Sequence, residues 1–145
     1  MDSVRALGVD YGEKRIGLAV SDPSCTIATP LETVKRRAGK RPPLARIAEI
    51  SAEHDVGQLV VGLPLGLDGE ENEWCAEVRT IGEKLAERVG APVAFVDERL
   101  TSVRAERAIR AGGLKKSARE EKGRVDAAAA QLILQAWIDN PGIAR

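Results

Sequence analysis

The sequence predicts one α/β domain over residues 1–145, built on a five-stranded mixed sheet with three antiparallel strands, then two parallel ones, and helices on both faces. Three strand-like segments follow one another before residue 35, and helix-like and strand-like segments alternate from residue 42 onward. The chain is long enough for a single hydrophobic core, and no internal repeat or linker divides it.

The first three strands are predicted to form an antiparallel meander. Residues 4–10 are apolar at nearly every position, as in a strand buried on both faces. Gly12 is expected to begin a tight turn in which it is free to take a positive φ, and residues 15–21 form the second strand. The third strand is predicted over residues 25–34, where Pro30 indicates a sheet edge or a bulge.

The rest of the chain predicts alternating helices and strands. The helical segments carry apolar residues every three or four positions, whereas the strand segments are short apolar runs. Helices are predicted over residues 42–54, 74–89, 102–111 and 124–139, and strands over 58–63 and 92–98. Residues 64–72 read as a loop, and residues 112–122, which have little periodicity, as a mobile segment.

Composition excludes several classes of protein. Hydrophobic residues make up 43% of the chain and charged residues 30%, which is typical of a soluble globular protein. No apolar run approaches the roughly 20 residues that cross a membrane, and no signal peptide is visible, so a cytoplasmic location without membrane contact is expected. Cys25, Cys75 and His54 are too few and too scattered for a zinc site or a disulfide framework.

Basic residues are clustered although the total charge is balanced, with 22 basic and 22 acidic residues. Residues 35–41 and 114–124 are rich in lysine and arginine, a pattern found in solvated loops and in loops that bind nucleic acid. Aromatic residues are only 3% of the chain, which argues against a stacking platform for single strands.

Three acidic sites lie where an α/β sheet places functional groups. Asp10 ends the first predicted strand, Asp97 and Glu98 end the last, and Asp126 falls in the first turn of the C-terminal helix. If the first and fifth strands are parallel neighbours, Asp10 and Glu98 emerge at the same edge, and a helix across that edge adds Asp126. Clustered carboxylates repel one another unless a cation such as Mg²⁺ offsets the charge, and paired ions of this kind catalyse phosphodiester cleavage.

Each acid also has an ordinary structural interpretation. Asp10 suits a turn, while the Asp97–Glu98 pair and Asp126 suit helix starts. The alanines at 127–130 would let the last helix approach the sheet closely, but they also simply favour helix formation. Gly123 weakens the start of that helix. The acids alone leave both interpretations open.

Four motifs in order carry more information than the acids alone. They are LGVDYGEKRIGLAVSD (7–22), LVVGLPLGLDG (59–69), FVDERLTS (95–102) and VDAAAAQLILQAWID (125–139). In sequence and spacing, over about residues 4–139, the chain resembles the YqgF family, also called RuvX, of Holliday-junction resolvases. The resemblance implies a ribonuclease H-like fold and metal-dependent phosphodiester hydrolysis on branched or structured nucleic acid.

The resemblance also implies roles for individual residues. Asp10, Glu98 and Asp126 match the catalytic acids that hold Mg²⁺ or Mn²⁺, two ions in all, and Asp97 is the alternative to Glu98. Neighbouring residues would contact the nucleic acid or brace the acids: Lys14, Arg15, Arg99, Thr101 and Ser102. Lys115 and Lys116, in the second basic segment, would grip the nucleic-acid backbone by charge.

The substrate has two candidates, a four-way DNA junction in recombination and repair, and the 5′ end of precursor 16S ribosomal RNA, to which members of the family have been linked. A resolvase cuts two strands symmetrically, so the first would require a homodimer. A nucleotide-binding domain of the actin and sugar-kinase class fits the DxG pattern at Asp10 loosely, but those enzymes clamp ATP between two domains and 145 residues supply only one. A non-catalytic nucleic-acid-binding module stays open.

Overall fold

The structure, a computed structural model, describes residues 4–36, 41–101 and 118–145, with the backbone alone given for 118–126. The strands are β1 (Arg5–Tyr11), β2 (Arg15–Ser21), β3 (Ala28–Lys35), β4 (Val56–Leu63) and β5 (Val93–Asp97). The helices are α1 (Leu44–Glu53), α2 (Glu73–Val89) and α3 (Ala118–Asp139), with short 3₁₀ turns at Glu98–Leu100 and Pro141–Ile143.

The five strands form one mixed sheet in the order β3-β2-β1-β4-β5. The pairs β3–β2 and β2–β1 are antiparallel, and β1–β4 and β4–β5 are parallel, as predicted. The expectation that the first and fifth strands are neighbours is wrong, because β4 lies between them and pairs with both. The acids at the ends of β1 and β5 must therefore meet across the end of β4.

The two faces of the sheet are packed with side chains of different size. One face carries large apolar side chains, including Leu7, Leu59 and Phe95, under α1 and α2. The opposite face carries small residues under α3, whose own contact residues include Ala129 and Ala130. Because side chains alternate along each strand, every central strand contributes to both cores.

Two glycines let α3 lie unusually close to the sheet. A Cβ on Gly8 of β1 would stand 2.7 Å from the backbone oxygen of Ala130 and 2.7 Å from Leu134 Cβ. A Cβ on Gly62 of β4 would stand 2.6 Å from Ile133 Cδ1. The backbone of α3 at Gly8, and an α3 side chain at Gly62, thus occupy the space that a larger strand residue would need.

The third strand begins at Ala28 rather than at residue 25. The Asp22 carboxylate accepts hydrogen bonds from the backbone N–H groups of Thr26 (2.7 Å) and Ile27 (2.8 Å), and Cys25 has a φ of 55°. These contacts close residues 22–27 into a loop before the strand can start. The expectation for Pro30 is confirmed, since β3 is an edge strand whose register with β2 shifts next to that proline.

Gly12 does not use the positive φ that is open to glycine; among the described glycines, Gly69 and Gly90 do. Its N–H donates to the Arg15 carbonyl at 2.9 Å, and a Cβ on Gly12 would stand 2.6 Å from that oxygen. Close approach of the two backbones, rather than a left-handed conformation, therefore requires glycine in this turn.

The last helix begins at Ala118, six residues before its predicted start, and continues through Gly123. Asp126 is consequently its ninth residue rather than part of its first turn. Residues 118–122 of the segment predicted to be mobile thus belong to this helix, while the predicted helix at 102–111 and residues 112–117 lie outside the described residues. In the part of the chain that the structure describes, no helix has the length and apolar character that crossing a membrane demands.

Candidate active site

A cleft of about 270 Å³ opens at the carboxyl end of β1. Its walls come from the β1–β2 turn, the end of β4 and the residue after β5. They are formed by Asp10, Tyr11, Gly12, Glu13, Lys14, Arg15, Pro64 and Glu98. Two of the predicted acids and two of the predicted basic residues thus line one cavity.

Asp10 lies on the same side of β1 as Gly8, because alternate strand residues share a face, and that is the face packed by α3. It is only 4% exposed. Glu98, 3% exposed, reaches the same region past Gly62, where a Cβ would stand 3.0 Å from Glu98 Oε1 and 3.2 Å from its Cγ. The glycine in β4 therefore provides the space in which the acid after β5 lies beside the end of β1.

Asp97, the alternative acid, is placed differently. Its carboxylate accepts hydrogen bonds from Arg99 Nη2 (2.7 Å) and from the Arg99 backbone N–H (2.9 Å), and Arg145 Nη1 lies 3.9 Å away. Burial acts to raise the pKa of Asp97, but these hydrogen bonds and charges outweigh it and hold the pKa below its usual range. Asp97 is thus already paired with arginine, and the structure does not bring it into the cleft.

Asp126 belongs to the part of α3 whose side chains are not described, so only its backbone position is known. Ala130 meets β1 at Gly8, and Gln135 hydrogen-bonds the start of β3 at Ala28, which is level with the amino end of β1. The helix thus runs toward the amino end of β1, and the turn preceding Ala130, which contains Asp126, lies toward the carboxyl end where Asp10 stands.

The predicted nucleic-acid contacts divide into three groups. Lys14 and Arg15 line the cleft. Arg99 is engaged with Asp97, and the Thr101 hydroxyl donates to the Glu98 carbonyl at 2.7 Å. The remaining three, Ser102, Lys115 and Lys116, lie outside the described residues.

A second set of side chains fixes the β1–β2 turn, and the sequence patterns did not reveal it. The Tyr11 ring stacks on Trp74 with centroids 5.5 Å apart, and the Arg36 guanidinium lies 4.7 Å from the Tyr11 ring centroid. Arg36 Nη1 donates to the Gly12 carbonyl at 3.1 Å, and the backbone N–H of Arg36 donates to the Lys14 carbonyl at 2.9 Å. No spacing signal could connect Tyr11 with Trp74, because they are far apart in sequence and meet only in the folded chain.

The donor set of the cleft suits a hard divalent cation. Asp10 and Glu98 supply carboxylate oxygens, the ligands of Mg²⁺ and Mn²⁺, and neither the cysteines nor His54 lines the cleft. Within residues 4–36, 41–101 and the described side chains of 127–145, no group of three or more His, Cys, Asp or Glu side chains is spaced to hold one metal ion. A third protein ligand would therefore have to come from a side chain outside that set, such as Asp126.

A family model and curated relatives match nearly the whole of this chain. The family model described as "RuvX: Holliday junction resolvase" matches residues 4–140. A relative from Anaeromyxobacter dehalogenans (strain 2CP-1) is 47% identical over 136 residues, covering 94% of this chain and 97% of the relative. A Mycobacterium bovis relative is 44% identical, covering 93% and 78%. Both carry the name "Putative pre-16S rRNA nuclease".

Solved structures of RuvC from Thermus thermophilus share the fold. The RuvC in complex with a Holliday junction substrate superposes with a TM-score of 0.59 at 18% identity, covering 98% of each chain. A second Thermus thermophilus RuvC structure gives a TM-score of 0.58, also at 18% identity. The fold is accordingly the predicted ribonuclease H-like one. With the family model spanning nearly the whole chain and relatives above 40% identity, the protein belongs to the RuvX (YqgF) family.

Proposed function

We propose that this protein is a divalent-metal-dependent nuclease that hydrolyses phosphodiester bonds at the 5′ end of precursor 16S ribosomal RNA. The observation that carries the proposal is the cleft in which Asp10 and Glu98, both nearly buried, stand beside Lys14 and Arg15. Carboxylate oxygens are the ligands that Mg²⁺ and Mn²⁺ take, and the two basic residues that line the same cleft suit an anionic substrate.

The proposed metal ligands are Asp10, Glu98 and Asp126, for two Mg²⁺ or Mn²⁺ ions. When bound, such ions supply an activated water and stabilise the leaving oxygen. The protein's own residues do the remaining work. Asp10 is fixed by its position on β1, and Glu98 by the space at Gly62. Lys14 and Arg15 bind the phosphate and hold the backbone in line with the two acids.

The names of the relatives support the choice of RNA as the substrate. Those at 44–47% identity are named for precursor 16S rRNA, which favours RNA over DNA. The second candidate is the four-way DNA junction, which is favoured by the description of the matching family model. That activity would require a homodimer, since two strands are cut symmetrically. A cytoplasmic location, where ribosomes mature, is part of the proposal.

A side-by-side cleavage assay tests the proposal. Wild-type protein is incubated with a structured RNA that contains the precursor 5′ end, and separately with a four-way junction, each with Mn²⁺ and with EDTA. The RNA should be cut only with Mn²⁺. The Asp10→Asn variant should lose more than about 100-fold in rate, because loss of an outer-shell partner alone costs about 10–100-fold.

Asp55→Asn is the matched control, because it makes the same chemical change in the α1–β4 turn, where a φ of 52° tolerates asparagine. Cleavage of the junction with the RNA left intact would favour the resolvase. Cleavage by Asp10→Asn at the wild-type rate would contradict the metal-nuclease mechanism. Binding of RNA without cleavage of either substrate would favour a non-catalytic module.

A further inference from the structure

The two residues that flank Glu98 in the chain, Asp97 and Arg99, are hydrogen-bonded to each other. Asp97 is 3% exposed and accepts hydrogen bonds from Arg99 through the backbone N–H (2.9 Å), Nε (3.0 Å) and Nη2 (2.7 Å). Because Glu98 lies between these two residues in the chain, the contacts hold both ends of the segment that carries it. The 3₁₀ turn at Glu98–Leu100 is therefore fixed at its start.

The same turn is closed on its other side by Thr101. The backbone N–H and the hydroxyl of Thr101 both donate to the Glu98 carbonyl, at 3.1 and 2.7 Å. The main chain of Glu98 is thus held from both directions, which restricts where its carboxylate can lie.

Arg99 also reaches the loop at residues 64–72, which forms one wall of the cleft through Pro64. A Cβ on Gly69 would stand 3.1 Å from Arg99 Nη1 and 3.2 Å from Nη2, and Gly69 has a φ of +80°. The guanidinium therefore lies against the backbone of the loop at a position where a side chain would both intrude on it and strain the main chain.

A second attachment joins the far end of that loop to β5. Glu71 accepts hydrogen bonds from Arg79 Nε (2.6 Å) and Nη2 (2.8 Å). The Arg145 guanidinium lies between two carboxylates, 4.0 Å from that of Glu71 and 3.9 Å from that of Asp97. The backbone N–H of Arg145 donates to the Phe95 carbonyl at 2.8 Å. The loop consequently lies against Arg99 at Gly69 and within ion-pair distance of Arg145 at Glu71, and both arginines lie beside Asp97 at the end of β5.

We infer that Asp97 and Arg99 form a clamp that positions Glu98 in the cleft and fastens the 64–72 loop as its wall. The inference rests on the proposed function, in which Glu98 is a metal ligand. It assigns Arg99 a positioning role rather than contact with nucleic-acid phosphate. Asp97 likewise acts through Arg99, and neither residue is a ligand of the metal.

Arg99→Ala and Arg99→Lys test the clamp, with Arg46→Ala as control, since Arg46 pairs with Glu32, Glu49 and Glu53 on another part of the surface. In calorimetric titration, the affinity for Mn²⁺ should fall about 10–100-fold in Arg99→Ala and should not change in the control. The affinity should fall less in Arg99→Lys, because lysine keeps the charge but loses the bidentate geometry. Amide hydrogen exchange should rise in residues 64–72 and 98–101 of Arg99→Ala.

The salt dependence of RNA binding in EDTA separates positioning from substrate contact. Lys14→Ala, which removes a proposed phosphate contact, should lower the slope of log affinity against log salt by about one, whereas Arg99→Ala should leave it unchanged. A lower slope in Arg99→Ala with unaltered Mn²⁺ affinity and exchange would overturn the clamp.

The clamp and the proposed function fail in different ways. If wild-type protein binds Mn²⁺ and Asp10→Asn does not, but Arg99→Ala matches wild type in metal affinity and exchange, then the clamp alone is wrong. If wild-type protein binds no Mn²⁺, the proposed function is wrong, and the role of the clamp in placing a metal ligand falls with it.

Discussion

The two faces of the sheet differ in the size of the strand residues that meet the helices. Under α1 and α2, the strands present large side chains such as Leu7, Leu59 and Phe95, which fill a conventional core. Under α3, the central strands present Gly8 and Gly62, and the helix fits against their backbones. The acids of the cleft, Asp10 and Glu98, are on the second face. Large residues therefore fill the core on one face, and small ones let α3 pack closely against β1 and β4 on the face that carries Asp10 and Glu98.

The largest effect should come from truncation on the large-residue face. Leu59 is fully buried there, so Leu59→Ala removes apolar contacts and leaves a cavity. We expect a loss of about 2–5 kcal/mol in the free energy of unfolding, measured by urea denaturation.

Leu67→Ala is the control for that measurement, because Leu67 is 89% exposed and the same change there should stay within about 0.5 kcal/mol. A Leu59→Ala variant as stable as wild type would show that this face is not a close-packed core.

On the small-residue face, enlargement rather than truncation should destabilise the protein. Gly8→Ala places a Cβ 2.7 Å from the backbone oxygen of Ala130, an atom that cannot move without shifting α3. We expect a loss of about 1–3 kcal/mol in the free energy of unfolding, again by urea denaturation.

The sign of this effect is diagnostic. In an uncrowded strand, replacing glycine by alanine stabilises by roughly 0.5–1 kcal/mol. A stabilised Gly8→Ala variant would therefore mean that α3 does not approach β1 as closely as described. It would contradict the claim that this face requires small strand residues.

The smallest effect on stability, but a clear one on the site, is expected for Gly62→Ala. The new Cβ meets Ile133 Cδ1 at 2.6 Å, the end of a flexible side chain, and Glu98 Oε1 at 3.0 Å. We expect a smaller loss of stability than for Gly8→Ala, together with a roughly 10-fold loss of Mn²⁺ affinity because Glu98 is displaced.

Adding Ile133→Val separates these two contacts. The valine lacks Cδ1, so the double variant should recover stability while its Mn²⁺ affinity stays low. Recovery of both together would indicate that Gly62 serves only the packing of α3 and not the placement of Glu98.

Much of the fold could be predicted because most strands and helices have a local sequence pattern. Apolar runs and helical spacing identified all five strands and the described helices, and motif order identified the family. The order of the strands could not be predicted from local patterns, since the residues of β1 and β5 do not indicate that β4 lies between them. The early start of α3 was missed because residues before Gly123 show little apolar periodicity.

The site was predicted in part. Asp10 and Glu98 were found from their positions at strand ends, and the structure places both in one cleft. The sequence singles out both Asp97 and Glu98, and the family resemblance favours Glu98. The folded chain pairs Asp97 with Arg99 and places Glu98 beside Gly62, while the roles of both acids in metal binding stay predictions.

Calorimetric titration of Mn²⁺ into wild-type protein, Asp10→Asn and Asp55→Asn tests most directly whether the small-residue face builds a metal site. It requires no substrate, so it does not depend on the choice between RNA and DNA. We predict that wild type and Asp55→Asn bind Mn²⁺ with the same affinity, and that Asp10→Asn binds it more than about 100-fold more weakly. Equal Mn²⁺ affinity in all three proteins would contradict the assignment of Asp10 as a metal ligand.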